Sequence, residues 1–264
     1  MKWFETALVV LTLLTGVIWL LDRLVLARRR ARKAGLLEPK EPVLVDYSRA
    51  FFPVLFVVLI LRSFVAEPFR IPSSSMMPTL LIGDFILVNK FSYGIRLPIT
   101  NRKVIDIGEP ARGDVVVFRP PHQPDQDWIK RVIGLPGDTV EFRDNQISVN
   151  GVPFAYQREG TYEGVGRGRE MTGASLYTEQ MPDRAHEILH IDQAAPFHLG
   201  EGTWTVPQGH YFVMGDNRDR SDDGRFWGTL PESQLRGKAF LIWMNVDSSA
   251  PGWVDWGRIG QGIR

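Results

Sequence analysis

The chain has 264 residues, of which 44% are hydrophobic and 23% are charged, and its net charge is +1. This composition is typical of a globular protein, and it excludes wholesale disorder, a collagen-like repeat and an extended coiled coil. The sequence contains no cysteine. Disulfide bonds, cysteine-ligated zinc or iron–sulfur sites and a cysteine nucleophile are therefore excluded.

The nearly neutral total conceals an uneven distribution of charge. Residues 1–66 contain ten Lys or Arg and five Asp or Glu, whereas residues 67–264 contain 21 Lys or Arg and 25 Asp or Glu. Because binding to nucleic acid requires a basic surface, the mildly acidic larger part argues against a nucleic-acid partner. The excess positive charge lies instead beside the most apolar part of the chain.

Two apolar segments near the N-terminus predict transmembrane α-helices. Residues 3–21 contain Glu5 as their only charged residue, and their length is close to the ~20 residues that cross a bilayer. Residues 50–66 form the second segment, and Arg62 lies near its end, where its side chain can reach the lipid headgroups. The alternatives are a cleaved signal peptide for the first segment and a buried core helix for the second.

The charge of the connecting segment predicts the topology. The first transmembrane segment is predicted to comprise residues 1–26, which include the apolar run 3–21, and the second to comprise residues 50–66. The loop between them, residues 27–49, contains seven Lys or Arg and three Asp or Glu, and the positive-inside rule places it in the cytoplasm. We therefore expect the lipid bilayer as a partner, with the N-terminus and residues 67–264 on the non-cytoplasmic side.

Residues 67–264 are predicted to be mainly β, with antiparallel sheets. Short runs rich in β-branched and aromatic residues follow one another closely, and Asn150-Gly151 is typical of a two-residue hairpin turn. Residues 155–205 are Gly-rich, polar and weakly patterned, which predicts an inserted flap or small subdomain. The expected strands lie at residues 85–88, 115–118, 128–133, 139–142, 146–149, 211–214 and 239–244.

Two features offer a serine nucleophile and a base. Three consecutive serines, residues 73–75, lie between Pro72 and Pro78, which exclude a regular helix interior and favour a stiff loop. Lys130 is expected on the apolar face of a strand, where loss of hydration lowers the pKa of an amine and lets it accept a hydroxyl proton. Taken singly, the serines are also consistent with an ordinary loop, and Lys130 with a solvated strand residue.

Four segments, taken in order, resemble the sequence boxes of the bacterial signal peptidase I family. They are IPSSSMMPTLLIGDFILVNKFSYGI, RGDVVVFRPP, WIKRVIGLPGD and FVMGDNRDRSDDGRFWG, and they follow the two apolar segments. The resemblance covers about residues 64–150 and 209–245. It implies a β-rich, cofactor-free serine endopeptidase of the bacterial cytoplasmic membrane. Such an enzyme cleaves signal peptides from exported preproteins after small residues, in an Ala-x-Ala-like context, through a Ser-Lys dyad and an acyl-enzyme.

The same resemblance implies roles for residues of the dyad. Ser75 would be the nucleophile, and Lys130 the general base and later the general acid. Ser73 would contribute its hydroxyl to the oxyanion hole, together with the backbone N–H of Ser75. Two positions depart from the most frequent family pattern, since Ser74 stands where Gly is frequent and Gly224 where Ser is frequent. Neither is a proposed catalytic position, so these departures concern only local geometry.

Further residues would support the dyad or bind the substrate. In the last segment, Ser221 would donate a hydrogen bond that orients the catalytic lysine, and Asp223 and Arg225 would form a supporting ion pair. Ile71 and Ile129 lie beside the two catalytic segments. We expect both to help line pockets for small substrate residues.

A rival enzyme class is suggested by HEILH, residues 186–190, which matches the H-E-x-x-H signature of zinc hydrolases. That signature requires a helix that brings both histidines to one metal ion. Polar and apolar residues alternate here, however, and prolines at positions 182 and 196 bracket the segment. This pattern favours a strand, in which His186 and His190 are far apart, and we expect no metal.

Calcium binding and a non-enzymatic role each agree with only part of the sequence. Residues 219–224 imitate the start of an EF-hand loop, but the twelfth position is Leu230 rather than an acidic residue, which argues against calcium.

A two-span periplasmic scaffold or binding protein would explain the apolar segments and the β-rich part. It gives no reason for the four ordered segments.

Overall fold

The structure is a computed structural model that describes residues 2–34, 41–97, 100, 102–182, 184–191, 200–248 and 251–264. The chain divides into two units. The first consists of Met1–Ala66 and Arg96–Val104, and the second of Glu67–Ile95 and Ile105–Arg264.

The first unit contains two helices that are long and apolar enough to cross a membrane. The candidate spans are Thr6–Arg30 and Val43–Ser63, with mean hydropathies of 2.1 and 2.0. Both predicted apolar segments are thus helical. The first helix comprises α1 (Lys2–Leu21), a π-helical stretch (Asp22–Leu26) and α2 (Ala27–Ala34), and the second comprises α3 (Val43–Ile60) and a π-helical stretch (Leu61–Val65).

Both helices extend beyond the apolar segments. Within the predicted loop, residues 27–49, helix α2 occupies the first part and helix α3 begins at Val43, while residues 35–40 lie outside the described residues. Ala, Arg and Lys are strong helix formers, so α2 continues a helix that is already nucleated. The two helices pack closely where Gly16 lies against Phe52, which also stacks on Trp19 with ring centroids 5.5 Å apart.

The second unit is dominated by strands, and all seven predicted strands are present. A large sheet has the order β1-β2-β16-β5-β6-β14-β15, and its neighbours pair antiparallel, as β5 does with β6 and β6 with β14. Across the described residues of both units, the strands are β1 (Ala66–Arg70), β2 (Asp84–Asn89), β3 (Ile95–Arg96), β4 (Lys103–Ile105), β5 (Val115–Phe118), β6 (Trp128–Gly134), β7 (Thr139–Arg143), β8 (Gln146–Val149), β9 (Val152–Pro153), β10 (Ala155–Thr161), β11 (Ser175–Met181), β12 (Arg184–His190), β13 (Gly202–Thr205), β14 (His210–Met214), β15 (Leu230–Pro231) and β16 (Leu235–Asn245).

Short helical segments connect the later strands. One is the single α-helical turn α4 (Gly224–Trp227), which Asp223 caps by accepting a hydrogen bond from the backbone N–H of Arg225. The 3₁₀ segments are Gly166–Met171, Arg218–Arg220, Glu232–Gln234, Pro251–Trp253 and Trp256–Arg258.

Strand β5, in the middle of the large sheet, is buried on both faces. Val115 and Val117 belong to one apolar cluster, whereas Val116 and Phe118 belong to another. Successive side chains of a strand point to opposite faces, so a strand covered on both sides needs a continuous apolar run rather than alternation. This explains the VVVF sequence.

The predicted insert, residues 155–205, is more ordered than its sequence indicates. Strands β10, β11 and β12 form a three-stranded antiparallel sheet that runs from Ala155 to His190. Strand β13, at the end of the predicted insert, pairs with β7 in the sheet β13-β7-β8-β9. Residues 183 and 192–199 lie outside the described residues. Polar side chains dominate the exposed strand β10, which explains its weak sequence signal.

The predicted hairpin turn is confirmed. Asn150 and Gly151 both have positive φ angles, 54° and 78°, and join β8 to β9. Two consecutive positive φ angles are the requirement of a type I′ turn.

Candidate active site

A lysine and a serine far apart in the sequence are joined by a hydrogen bond. Lys130 Nζ donates to Ser75 Oγ at 2.8 Å and to the carbonyl oxygen of Ile129 at 3.0 Å. Lys130 lies on β6, and Ser75 lies in the turn that connects β1 to β2. Only 4% of Lys130 and 7% of Ser75 are exposed. The pair is therefore shielded from bulk water, as a nucleophile and its base require.

Burial also changes the protonation of Lys130. It lowers the pKa of the ammonium from its ordinary value of 10.5 to about 8, against the opposing effect of the Asp223, Asp222 and Asp216 carboxylates. An amine with this pKa is substantially neutral in mildly alkaline solution, so it can accept a proton from a hydroxyl group.

The turn that carries Ser75 is held from two sides. Met76 is fully buried in the core, and it anchors the turn through its side chain. Asn217 holds the backbone, because its N–H donates to the Ser75 carbonyl at 3.1 Å and its Nδ2 donates to the Ser74 carbonyl at 3.1 Å. A Cβ at Gly215 would overlap the Ser75 carbonyl oxygen, so only glycine permits this close approach.

A second buried network connects the same elements. Arg131 forms two hydrogen bonds with Asp216, from Nε to Oδ1 at 2.8 Å and from Nη2 to Oδ2 at 2.7 Å, and Thr79 Oγ1 donates to Asp216 Oδ2 at 2.6 Å. Burial raises the pKa of the Asp216 carboxyl, but the Arg131 guanidinium outweighs it and holds the pKa below the usual range. The Arg131–Asp216 pair therefore connects the strand that carries Lys130 to the segment in which Asn217 holds the Ser75 backbone.

Ser73 lies beside the proposed nucleophile. Its side chain is exposed, and its Oγ is 3.4 Å from Ser75 Oγ. It also lines the cleft that opens onto the dyad. A hydroxyl in this position can donate toward an oxygen atom of a group that Ser75 attacks.

The three predicted supporting residues, Ser221, Asp223 and Arg225, are all buried. Asp223 and Arg225 form a buried salt bridge with an Oδ1–Nε distance of 2.9 Å. Burial raises the pKa of Asp223, but the Arg225 charge holds it below its ordinary value overall. Ser221 Oγ is buried beside Gly215 and makes no hydrogen bond with Lys130 in the described part of the chain. The role of Ser221 in orienting Lys130 stays a prediction, while Lys130 Nζ donates here to the Ile129 carbonyl oxygen.

A cleft of about 390 Å³ opens onto the dyad. Ile129 lies in its wall. Ile71 is only 2% exposed and packs in the core with Ile129 and Phe69, and its backbone is hydrogen-bonded to β2. The roles of Ile71 and Ile129 in lining pockets for small substrate residues stay predictions. The lining residues are Pro72, Ser73, Ser75, Gln126, Asp127, Trp128, Ile129, Lys130, Arg220 and Asp222.

The family model described as "Signal peptidase, peptidase S26" matches residues 44–244. The chain belongs to this signal peptidase family. It is therefore a peptidase, a hydrolase of the serine class, and its two long apolar helices agree with anchoring in a membrane.

Two relatives from Pseudomonas support the assignment. The signal peptidase I of Pseudomonas fluorescens and that of Pseudomonas aeruginosa are each 44% identical to this chain over 267 residues, and the alignments cover 92% of both proteins. A solved structure of a signal peptidase I from Enterococcus faecalis V583 aligns with 50% of this chain and 98% of its own, at 30% identity and a TM-score of 0.30.

In this signal peptidase family member, the HEILH segment forms strand β12, as its alternation predicts. The two histidines face different carboxylates. His186 Nε2 lies 3.3 Å from Glu179 Oε1, and His190 Nδ1 lies 3.5 Å from Asp219 Oδ2. Burial lowers the pKa of His186 to about 4. Within the described residues, no group of three or more His, Asp or Glu is placed to hold a metal ion.

Sequence reasoning missed several residues of the peptidase site. Asp216 and Asn217 stand in the fourth of the family-like segments, and the signal for them is a polar pair one residue after the apolar strand β14. Arg131 directly follows Lys130 on β6, and no pattern in the sequence singles it out. Asp222 and Arg220 line the cleft, and their proximity could not be derived from spacing.

Proposed function

We propose that this protein cleaves N-terminal signal peptides from exported preproteins by a Ser-Lys dyad and an acyl-enzyme. The single observation that carries the proposal is the 2.8 Å hydrogen bond between Lys130 Nζ and Ser75 Oγ in a buried site. A lysine whose pKa is lowered to about 8 serves as the base that histidine provides in other serine peptidases.

In the proposed reaction, neutral Lys130 removes the hydroxyl proton of Ser75 while Oγ attacks the carbonyl carbon of the scissile peptide bond. The negative charge that develops on the carbonyl oxygen is stabilised by the Ser73 hydroxyl and the Ser75 backbone N–H. The Lys130 ammonium then donates its proton to the leaving amine. Lys130 finally activates the water that hydrolyses the acyl-enzyme.

The edge of β6 favours an extended substrate. Strand β14 pairs with β6 only along Arg131–Gly134, and the preceding residues, Trp128–Lys130, border the cleft instead. A peptide that adds to this free edge gains main-chain hydrogen bonds, and its alternate side chains point into the wall. Ile129 in that wall leaves room for small side chains, which supports cleavage after Ala-x-Ala-like sequences.

We further propose the bacterial cytoplasmic membrane as the location, with residues 67–264 on the periplasmic side. The connecting segment, residues 27–49, carries seven Lys or Arg against three Asp or Glu, as a cytoplasmic loop does. Ser75 follows the second apolar segment by nine residues in the sequence. An external protease added to spheroplasts should therefore digest residues 67–264 and leave the connecting segment intact.

The direct test incubates the detergent-solubilised protein with a preprotein and maps the cut. We expect one cut after a small residue, which Ser75→Ala abolishes, while Ser74→Ala, in the adjacent serine, retains activity. Cuts after bulky or charged residues would contradict the proposal.

A zinc hydrolase or a scaffold would give a different result in the same assay. Loss of activity with EDTA and recovery with zinc would favour a zinc hydrolase. A Ser75→Ala protein that still supports its cellular role would favour a scaffold.

A further inference from the structure

Two cavities of the second unit share one residue. The cleft at the dyad has a volume of about 390 Å³, and a second cavity of about 430 Å³ lies against the insert. Arg220 lines both, so the two spaces adjoin at its side chain. The second cavity is lined by Arg158, Thr161, Glu170, Met171, Thr172, Gly173, Ala174, Ser175, Ile191 and Arg220.

The insert is bonded directly to the segment that carries Arg220. The backbone N–H of Leu189 donates to the Asp216 carbonyl at 3.0 Å, and that of Ile191 donates to Asp219 Oδ2 at 2.7 Å. Arg218 and Glu179 form a fully buried pair with hydrogen bonds of 2.7 and 2.8 Å. The insert is therefore held to the segment that carries Arg220 by several hydrogen bonds where the two cavities meet.

The sheet determines where a bound peptide must go. The part of the substrate before the scissile bond follows the free edge of β6 at Trp128–Lys130. Beyond Lys130 this edge is occupied by β14, so the chain after the scissile bond cannot continue along β6. One exit runs over the segment that follows β14, which holds Ser75 and carries Arg220.

The second cavity carries more positive than negative charge, whereas Asp222 and Asp127 line the cleft on the other side of Arg220. The Arg220 side chain is exposed and forms no hydrogen bond or ion pair with another described residue. The second cavity also contains Arg158, which donates to Ser175 Oγ at 3.2 Å, and one acidic residue, Glu170. An exposed guanidinium without a partner favours a carboxylate in the chain that passes it.

We propose that the second cavity binds the segment of the preprotein that follows the cleaved bond, and that Arg220 selects acidic side chains in it. The ligand is thus an extended acidic peptide, the start of the mature chain. This inference rests on the proposed function, because it assumes that the signal-peptide side occupies the β6 edge. It makes the insert a part of substrate recognition.

The test uses the full-length protein in detergent and a series of peptides with one Ala-x-Ala site. A single Glu, Gln or Lys is placed in turn at the second to sixth positions after the scissile bond, or at matching positions before it. The kcat/KM of each peptide is measured for the unmodified protein, Arg220→Gln and Arg220→Glu. The matched control is Arg143→Gln, which alters an exposed arginine on β7.

We expect a preference for Glu over Lys of about two- to fivefold, confined to positions after the scissile bond and weakened by salt. Arg220→Gln should remove it, Arg220→Glu should reverse it, and Arg143→Gln should keep it. The inference would be overturned if cleavage remained dependent on Ser75 but showed no preference for Glu over Lys. It would also be overturned if that preference were unchanged in the Arg220 variants or confined to positions before the scissile bond. Absence of cleavage, or cleavage by Ser75→Ala, would instead overturn the proposed function and this inference with it.

Discussion

The Nζ atom of Lys130 lies 2.8 Å from the Oγ atom of Ser75, although 55 residues separate them in the sequence. The contact joins strand β6 to the turn between β1 and β2. It is made inside the protein, where an ammonium loses hydration and an uncharged amine is favoured. The same burial that makes Lys130 a base also makes it costly to keep protonated, so activity and stability should respond together to pH.

Replacement of Lys130 by Met should abolish cleavage and leave the protein at least as stable at neutral pH. The amine has a pKa of about 8 when folded against 10.5 ordinarily, so the unfolded chain binds more protons between these values. The free energy of unfolding of the unmodified protein should therefore rise from pH 8 to 10.5, by about 3 kcal/mol at most. Denaturant titrations at several pH values should show this rise reduced in Lys130→Met.

The matched variant Lys130→Arg keeps the positive charge. It should also be inactive, because a guanidinium stays protonated and cannot accept the Ser75 proton. Substantial cleavage by either variant would contradict a dyad mechanism.

The rate of cleavage should follow the protonation of Lys130. Because burial lowers the pKa of Lys130 to about 8, the neutral fraction falls about tenfold for each pH unit well below that value. We expect kcat/KM to rise with pH with an apparent pKa near 8. A profile governed by a group near pH 6, measured with a peptide that has no titrating side chain, would indicate a histidine base instead.

Removal of the Ser73 hydroxyl should slow the chemical step without unfolding the protein. Its Oγ is 3.4 Å from Ser75 Oγ, and the side chain is exposed. Loss of one donor to an oxyanion typically costs about 10²–10³ in kcat, so we expect Ser73→Ala to lose about 10²-fold with little change in KM. Ser73→Thr retains a hydroxyl and should recover most of the activity; equal losses in the two variants would indicate a packing role.

Substitution of Asp216 by Asn should destabilise the second unit strongly. The Arg131 guanidinium is fully buried and would lose its charged partner, which costs about 3–5 kcal/mol. The control is Glu141→Gln, which breaks the exposed pair with Arg143 and should cost less than about 1 kcal/mol. Equal unfolding free energies for the two variants, in denaturant titrations, would show that the buried pair contributes little.

The sequence by itself determined the local features of this protein. The seven strands were predictable because apolar runs of β-branched residues are bounded by turn residues, and the type I′ turn was predictable because few residues tolerate two positive φ angles. The two long apolar helices were predictable from length and apolar content. Ser75 and Lys130 stood out because their segments resemble family motifs, each of which is continuous in sequence.

Only the tertiary structure decided how distant segments meet. Three interactions join elements that are far apart in the sequence, and no spacing rule gives their distances. They are the hydrogen bond from Lys130 to Ser75, the Asp216–Arg131 ion pair and the hydrogen bond from Asn217 to the Ser74 carbonyl. The same reason leaves the roles of Ile71 and Ser221 as predictions. Whether Ile71 faces the cleft or the core, and whether Ser221 reaches Lys130, depends on ångström-scale packing between strands that the sequence pattern of either segment does not contain.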